Sequence, residues 1–181
     1  MPDSRLPLFV VTGGPGAGKS TLIAALMARG QTCVEEAGRA VIREQLARGG
    51  SALPGADRDA YWWAMFERDL AAHRSARASG RRVFLDRALP DLLGYAALEG
   101  LNPPSNAVKE IQTAAYAPLV FAAPPWREIY ETDAERRQDW PTAVRTYEAV
   151  TRAYIDLGYR LVELPKCKVE GRAEFVLDAA R

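Results

Sequence analysis

The chain has 181 residues, and its 24 lysines and arginines nearly balance 23 acidic residues, leaving a formal net charge of +1. That length suits one domain of ordinary size, and the near-neutral balance argues against dependence on a bulk polyanion such as duplex DNA. No apolar stretch approaches the ~20 residues that cross a bilayer, and the opening MPDSRLPLFVV lacks a signal-peptide pattern, so a cytoplasmic protein is expected.

In chain order, Leu8 to Thr12 is a short apolar, β-branched run ending in glycines, the pattern of a buried strand. From Ser20 to Arg29, Leu22, Ile23, Leu26 and Met27 recur at helical spacing, and Gly30 closes the run. Thr32 to Glu36 predicts a second strand and Arg39 to Arg48 a helix stopped by Gly49 and Gly50. After the turn-forming SALPGAD, a long helix runs from Arg58 to about Ser79. RRVFLD then makes a third strand with its polar tip at Asp86. Helical segments follow within Pro90 to Gly100 and Ser105 to Tyr116, then a fourth strand, Ala117 to Ala122, closed by Pro124 and Pro125. Trp126 to Trp140 reads as short helix and loop, Thr142 to Leu157 as a helix, YRLVEL as a fifth strand and Val169 to Ala180 as a last helix. Five apolar strands alternating with helices predict an α/β fold, a parallel sheet covered on both faces. Cys33 and Cys167 lie far apart without Cys-x-x-Cys spacing and are expected to be buried thiols rather than a disulfide or metal site. The lone His73, within a helix, is poor material for a structural metal.

Gly13-Gly14-Pro15-Gly16-Ala17-Gly18-Lys19-Ser20 fits G-x-x-x-x-G-K-[ST] at every fixed position. Glycines let the chain wrap so that successive N–H groups point into one concavity, and the following helix aims its positive end there. Residues Gly13 to Thr21 are therefore the expected seat of a nucleoside triphosphate, taken as ATP. Lys19 would bridge its β- and γ-phosphates and Ser20 would ligate Mg²⁺. No Asn-Lys-x-Asp occurs, which speaks against a guanine-reading GTPase. In VFLDR, Arg87 stands where a ring-forming ATPase would carry a water-activating glutamate.

An Asp-Arg pair at a third-strand tip resembles the P-loop nucleoside and nucleotide kinases. That resemblance gives Asp86 to the Mg²⁺ shell or to base work, and Arg87 to substrate or phosphoryl oxygens. Taken alone, the pair also fits an exposed ion pair. The segment CVEEAGRAVIREQ resembles an E-x-x-R pattern of kinase-like P-loop ATPases related to nicotinamide riboside kinase domains, which implies Glu36 and Arg39 at the acceptor. Neighbouring strand residues face opposite ways, so one of Glu35 and Glu36 can point inward, and Glu36 is preferred. The interval ETDAERRQDW corresponds to the kinase lid, where Arg136 and Arg137, with Arg127 behind them, would close over the transferring phosphoryl group. A solvated helix face is the plain alternative. Pro165, Lys166 and Val169 follow the fifth strand, where such kinases cover adenine. Trp62, with Tyr61, Trp63 and Phe66, would wall the acceptor or fill the core; adjacent Trp62 and Trp63 cannot do the same job.

FVVTGGPGAGKSTLI, EEAGRAVI, VFLDRALPDLLGYAAL and YETDAERR together resemble a bacterial family of AAA-type ATPases with a P-loop-kinase-like core. The resemblance implies a five-stranded parallel sheet with helices on both faces, one domain over 1–181 with a lid near 126–140, ATP and Mg²⁺. The expectation is an ATP-dependent kinase of a small-molecule acceptor, nucleoside- or nucleotide-like, with Lys19, Asp86, Glu36, Arg87, Arg136 and Arg137 catalytic. Glu36 and Asp86 both remain candidates for the base. An ATPase coupled to a partner, or a nucleotide-sensing module, are the rivals.

Overall fold

The computed structural model describes residues 7–130 and 139–181. Strand β1 (Leu8–Gly13) leads through the glycine loop into α1 (Lys19–Ala28), followed by β2 (Thr32–Val34), α2 (Ala37–Arg48) and α3 (Arg58–Ala78). Then come β3 (Val83–Asp86), α4 (Leu89–Glu99), α5 (Ser105–Thr113) and β4 (Leu119–Ala123). A 3₁₀ turn (Arg127–Ile129), α6 (Trp140–Asp156), β5 (Arg160–Glu163) and α7 (Val169–Ala179) complete the described elements. The strands form one parallel sheet in the order β2-β3-β1-β4-β5. That is the layered α/β architecture its alternating pattern predicts.

β1 is buried along its whole length, because alternate side chains serve opposite faces. Phe9 and Val11 join Phe84, Phe121, Leu22 and Leu26, with Ala173 and Val176 of α7. Leu8 and Val10 face the other layer, where Val83, Leu85, Val120 and Tyr154 pack. Fully buried Leu22 and Leu26 each contribute roughly 1.5–3 kcal/mol from their apolar surface. On the second face, α2, α3, α4 and α5 build their own apolar cluster around Ile42, Tyr61, Trp62, Phe66 and Leu92. α6 lies close against α4: a Cβ at Gly94 would sit 2.6 Å from the Val150 Cα.

Two expected boundaries move in ways that matter. β2 ends at Val34, two residues before Glu36, and α2 begins at Ala37, so Glu36 is the residue that opens α2 rather than a strand end. α6 starts at Trp140, with Pro141 in its first turn, where proline's fixed φ and missing N–H cost nothing. The Asp139 carboxylate accepts from the Thr142 amide at 2.9 Å and caps it. The cysteines also depart from expectation. Both are free, but Cys167 is exposed and Cys33 only half-buried.

Candidate active site

The glycine loop joins a central strand to a helix whose first residue is Lys19. Gly18 takes a left-handed φ of 73°, which turns the chain tightly into α1 and which a side chain would strain. Buried Lys19 folds back so that its Nζ donates to the Gly14 carbonyl at 2.7 Å. Distant segments brace the loop. Arg172 of α7, 3% exposed, donates through Nη2 to the Ala17 carbonyl at 3.1 Å, and its guanidinium lies 5.9 Å from the Trp126 ring. The Tyr130 ring packs on Gly16, and Trp140 meets that ring edge-on. A cavity of about 170 Å³ opens along Pro15–Thr21, with Glu36, Arg39 and Ile129 on its rim.

Asp86, at the tip of β3 and 3% exposed, accepts from the Ser20 hydroxyl at 3.1 Å on Oδ2. Its Oδ1 is buried without a hydrogen-bond partner among the described residues. Burial, then the nearby Glu36 carboxylate, push its carboxyl up to about 6, while Lys19, Arg87 and the Ser20 bond pull the other way. An orphaned buried carboxylate oxygen beside a P-loop hydroxyl fits Mg²⁺, which takes one or two protein oxygens and completes its shell with water and phosphate. No group of three or more His, Cys, Asp or Glu residues suited to a metal occurs among the described residues. A Mg²⁺ of this type needs none.

Arg87 follows at a φ of 66°, the one non-glycine residue described in the left-handed region. Such strain persists where surrounding bonds fix it. The Arg87 amide donates to the Val11 carbonyl at 2.9 Å, its Nε to Glu36 at 3.0 Å and its Nη1 to Asp91 at 2.9 Å. Burial works against the charge, but Glu36, Asp91 and Asp86 more than offset it and raise the guanidinium pKa. Asp91 is the hub beneath. Its Oδ1 also accepts from the Thr12 hydroxyl at 2.6 Å, and its Oδ2 accepts from the Ala88 amide at 3.0 Å and the Tyr154 hydroxyl at 2.6 Å. Glu36, 5% exposed, further pairs with Arg39 at 3.6 Å, whereas Glu35 is exposed.

A second cavity, of about 260 Å³, lies between α2, α3, α4 and α6. Ile42, Tyr61, Met65, Leu92 and Tyr95 give it apolar walls, and Glu36, Asp69, Arg87 and Asp91 line its polar side. Glu36 borders this cavity and the glycine-loop cavity alike. Trp62 is not on the wall. It is 2% exposed, donates from Nε1 to the Leu92 carbonyl at 2.9 Å and stacks on Phe66. Helical phase turns Tyr61 and Met65, four apart, to the cavity and sends Trp62 into the core, so Trp62 does not line the cavity as expected. Arg136 and Arg137 lie outside the described residues. Arg127 is exposed, with its guanidinium 5.1 Å from the Trp140 ring. Pro165, Lys166 and Val169 do not border the glycine-loop cavity; from that end of the chain it is Arg172 that reaches the loop. Reasoning from sequence passed over Asp69, Asp91, Tyr95 and Arg172. Asp91 had a local signal, four residues after Arg87 in the first turn of a helix, while the others depend on helix packing.

An AAA-domain family model matches residues 8–172, nearly the whole chain. The chain belongs to that family. The AAA-domain core here is kinase-like. Thymidylate kinase from Ehrlichia chaffeensis superposes with a TM-score of 0.66 at 12% identity, covering 98% of this chain and 100% of that one. Thymidylate kinase from Candida albicans gives 0.67 at 12% identity, with 97% and 91% covered. The NadR protein in complex with NR gives 0.68 at 21% identity, and the match spans 97% of this chain and 50% of that chain. At these identities the likeness is one of fold. No curated protein matches the sequence, and no described helix is long and apolar enough to cross a membrane.

Proposed function

We propose that this AAA-domain chain is an ATP-dependent phosphotransferase that moves the γ-phosphoryl group to a small-molecule acceptor. The observation that carries the proposal is the position of Glu36, a buried carboxylate bordering both the glycine-loop cavity and the aromatic-walled cavity. A group that must touch donor phosphate and acceptor hydroxyl in one step belongs at such a junction. The acceptor cavity, about 260 Å³, falls just below the ~300–1,000 Å³ usual for drug-sized ligands, which suits a small acceptor.

In the reaction so derived, the amides of Gly14 and of residues Gly16 to Ser20 hold the triphosphate, and Lys19 leaves the Gly14 carbonyl for the β- and γ-phosphate oxygens. Ser20 and Asp86 would hold Mg²⁺, which when bound neutralises charge on those oxygens. The acceptor oxygen attacks the γ-phosphorus, forming the new O–P bond. The bond from that phosphorus to the β–γ bridging oxygen breaks, and ADP departs with the electron pair. Glu36 takes the acceptor proton. Arg87 and Arg39 hold its carboxylate in place, and a weak base suffices where bond breaking leads. Arg87, with Arg136 and Arg137 of the proposed lid, offsets the charge on the moving group. The reaction calls for one domain in a cytoplasm-like, ATP-rich compartment.

Labelled ATP with pooled nucleosides, nucleotides and sugars tests the reading. Wild type should label an acceptor. Glu36→Gln should cut transfer by about 10²–10⁴-fold, the usual share of a general base, while ATP binding persists; Lys19→Ala should weaken both. Steady phosphate release with no labelled acceptor would replace a kinase with an ATP hydrolase.

A further inference from the structure

We propose that Arg172 of α7 is a positioning residue for the nucleotide: by holding the Ala17 carbonyl it turns the Gly18 amide toward the phosphates, and the loop's affinity for a triphosphate depends on it. This rests on the reading of Gly13 to Thr21 as the phosphate seat. Arg172 donates through Nη2 to the Ala17 carbonyl at 3.1 Å. It does not itself border the cavity of about 170 Å³ along Pro15–Thr21, so it draws that carbonyl to the far side of the loop. The peptide between Ala17 and Gly18 is trans and planar, with its C=O and N–H on opposite sides. The Gly18 N–H therefore faces the cavity, where an anion needs a donor.

Local structure does not fix that orientation. α1 begins one residue too late to hold the Ala17 carbonyl, since its first backbone bond runs from the Leu22 amide to the Gly18 carbonyl at 3.1 Å. Turning the Ala17–Gly18 peptide over changes chiefly ψ of Ala17 and φ of Gly18, and Gly18, at φ 73°, tolerates either sign. The turned unit would aim a carbonyl oxygen at the phosphates and repel them. Arg172 packs directly on the unit it orients: a Cβ at Gly18 would lie 2.6 Å from its Nη1. Packing alone does not account for an arginine here. It is 3% exposed, and its Nε is buried without a hydrogen-bond partner among the described residues. An apolar side chain of similar length would cover the Trp126 ring, 5.9 Å away, without that desolvation.

The test is calorimetric binding of ATP with Mg²⁺, and of inorganic tripolyphosphate, to wild type, Arg172→Met, Arg172→Lys and Val176→Ala, with urea unfolding of each. Arg172→Met should raise the Kd of both ligands about tenfold, the worth of one charge-assisted hydrogen bond. Arg172→Lys, whose ammonium can still donate to the carbonyl, should weaken both by less. Val176 is fully buried one turn further along α7, so Val176→Ala should destabilise the protein while leaving both affinities little changed. If Arg172→Met does not fold, Arg172→Lys must still bind both ligands more weakly than Val176→Ala does. Unchanged tripolyphosphate affinity in the Arg172 variants overturns the inference, as does a loss confined to ATP, which would place the arginine at the base or sugar. An equal loss in Val176→Ala overturns it too, because any loosening of α7 would then suffice. None of these results touches the phosphotransferase reading. Failure of wild type to bind either ligand would overturn both.

Discussion

Replacing Asp91 with alanine removes the acceptor of four donors at once: the Thr12 hydroxyl, the Arg87 guanidinium, the Ala88 amide and the Tyr154 hydroxyl. A buried neutral donor left unmade costs about 1–3 kcal/mol, and breaking a buried ion pair about 3–5 kcal/mol. The terms do not simply add. Arg87 keeps Glu36 at 3.0 Å, the Thr12 hydroxyl can rotate, and the neighbouring cavity can supply water to the guanidinium. The Ala88 amide and Tyr154 hydroxyl have no such relief, so a net loss of about 4 kcal/mol is expected for Asp91→Ala. Tyr154→Phe, which removes one donor and leaves Oδ2 its Ala88 bond, should cost about 1 kcal/mol. Urea unfolding reads both as a lower midpoint at constant m. Because Arg87 is held at a strained φ by these bonds, phosphoryl transfer in Asp91→Ala should fall further than ATP affinity. A loss under about 1 kcal/mol for Asp91→Ala would refute the hub, since that is the worth of one ordinary hydrogen bond.

Other outcomes follow from the same geometry. Asp69 has a folded-state pKa of about 8 against an ordinary value of 3.8. Its contribution to stability is thus complete below the lower value and lost as pH rises through the upper one. Thermal unfolding of wild type should therefore weaken between those limits, in the same sense as the smaller rise at Asp86, and Asp69→Asn should flatten that slope and be the more stable protein at pH 8. Gly94→Ala should destabilise by about 1–3 kcal/mol, because a Cβ there runs into the Val150 backbone and must separate α4 from α6. Asp86→Asn should raise the Mg²⁺ concentration for half-maximal transfer about tenfold or more, seen in a Mg²⁺ titration at saturating ATP.

The sheet and the glycine loop were legible because both rest on local chemistry. β1 is buried on both faces and so reads as an unbroken apolar run, and the loop needs glycine, lysine and serine at fixed offsets. The strand alternation used to choose between Glu35 and Glu36 does not operate here. Neither lies in β2, and the turn into α2 buries Glu36 while leaving Glu35 in solvent. Trp62 was misleading because an aromatic run carries no sign of which phase faces a cavity. That is decided by the Leu92 carbonyl on a separate helix. Asp69 and Arg172 stayed hidden for the same reason, since each acquires its meaning from partners distant in sequence.

The Ala17 carbonyl and the Arg172 guanidinium are 155 positions apart in the chain, yet they meet at 3.1 Å. A polypeptide still being synthesised would have its phosphate-gripping turn long before the arginine that steadies it. Premature termination ahead of α7 would leave a recognisable motif on an unbuttressed loop, while also stripping Ala173 and Val176 from the sheet face beneath it. Nucleotide retention on columns of immobilised ATP would then report whether the last helix had been made, and not merely whether the first one had.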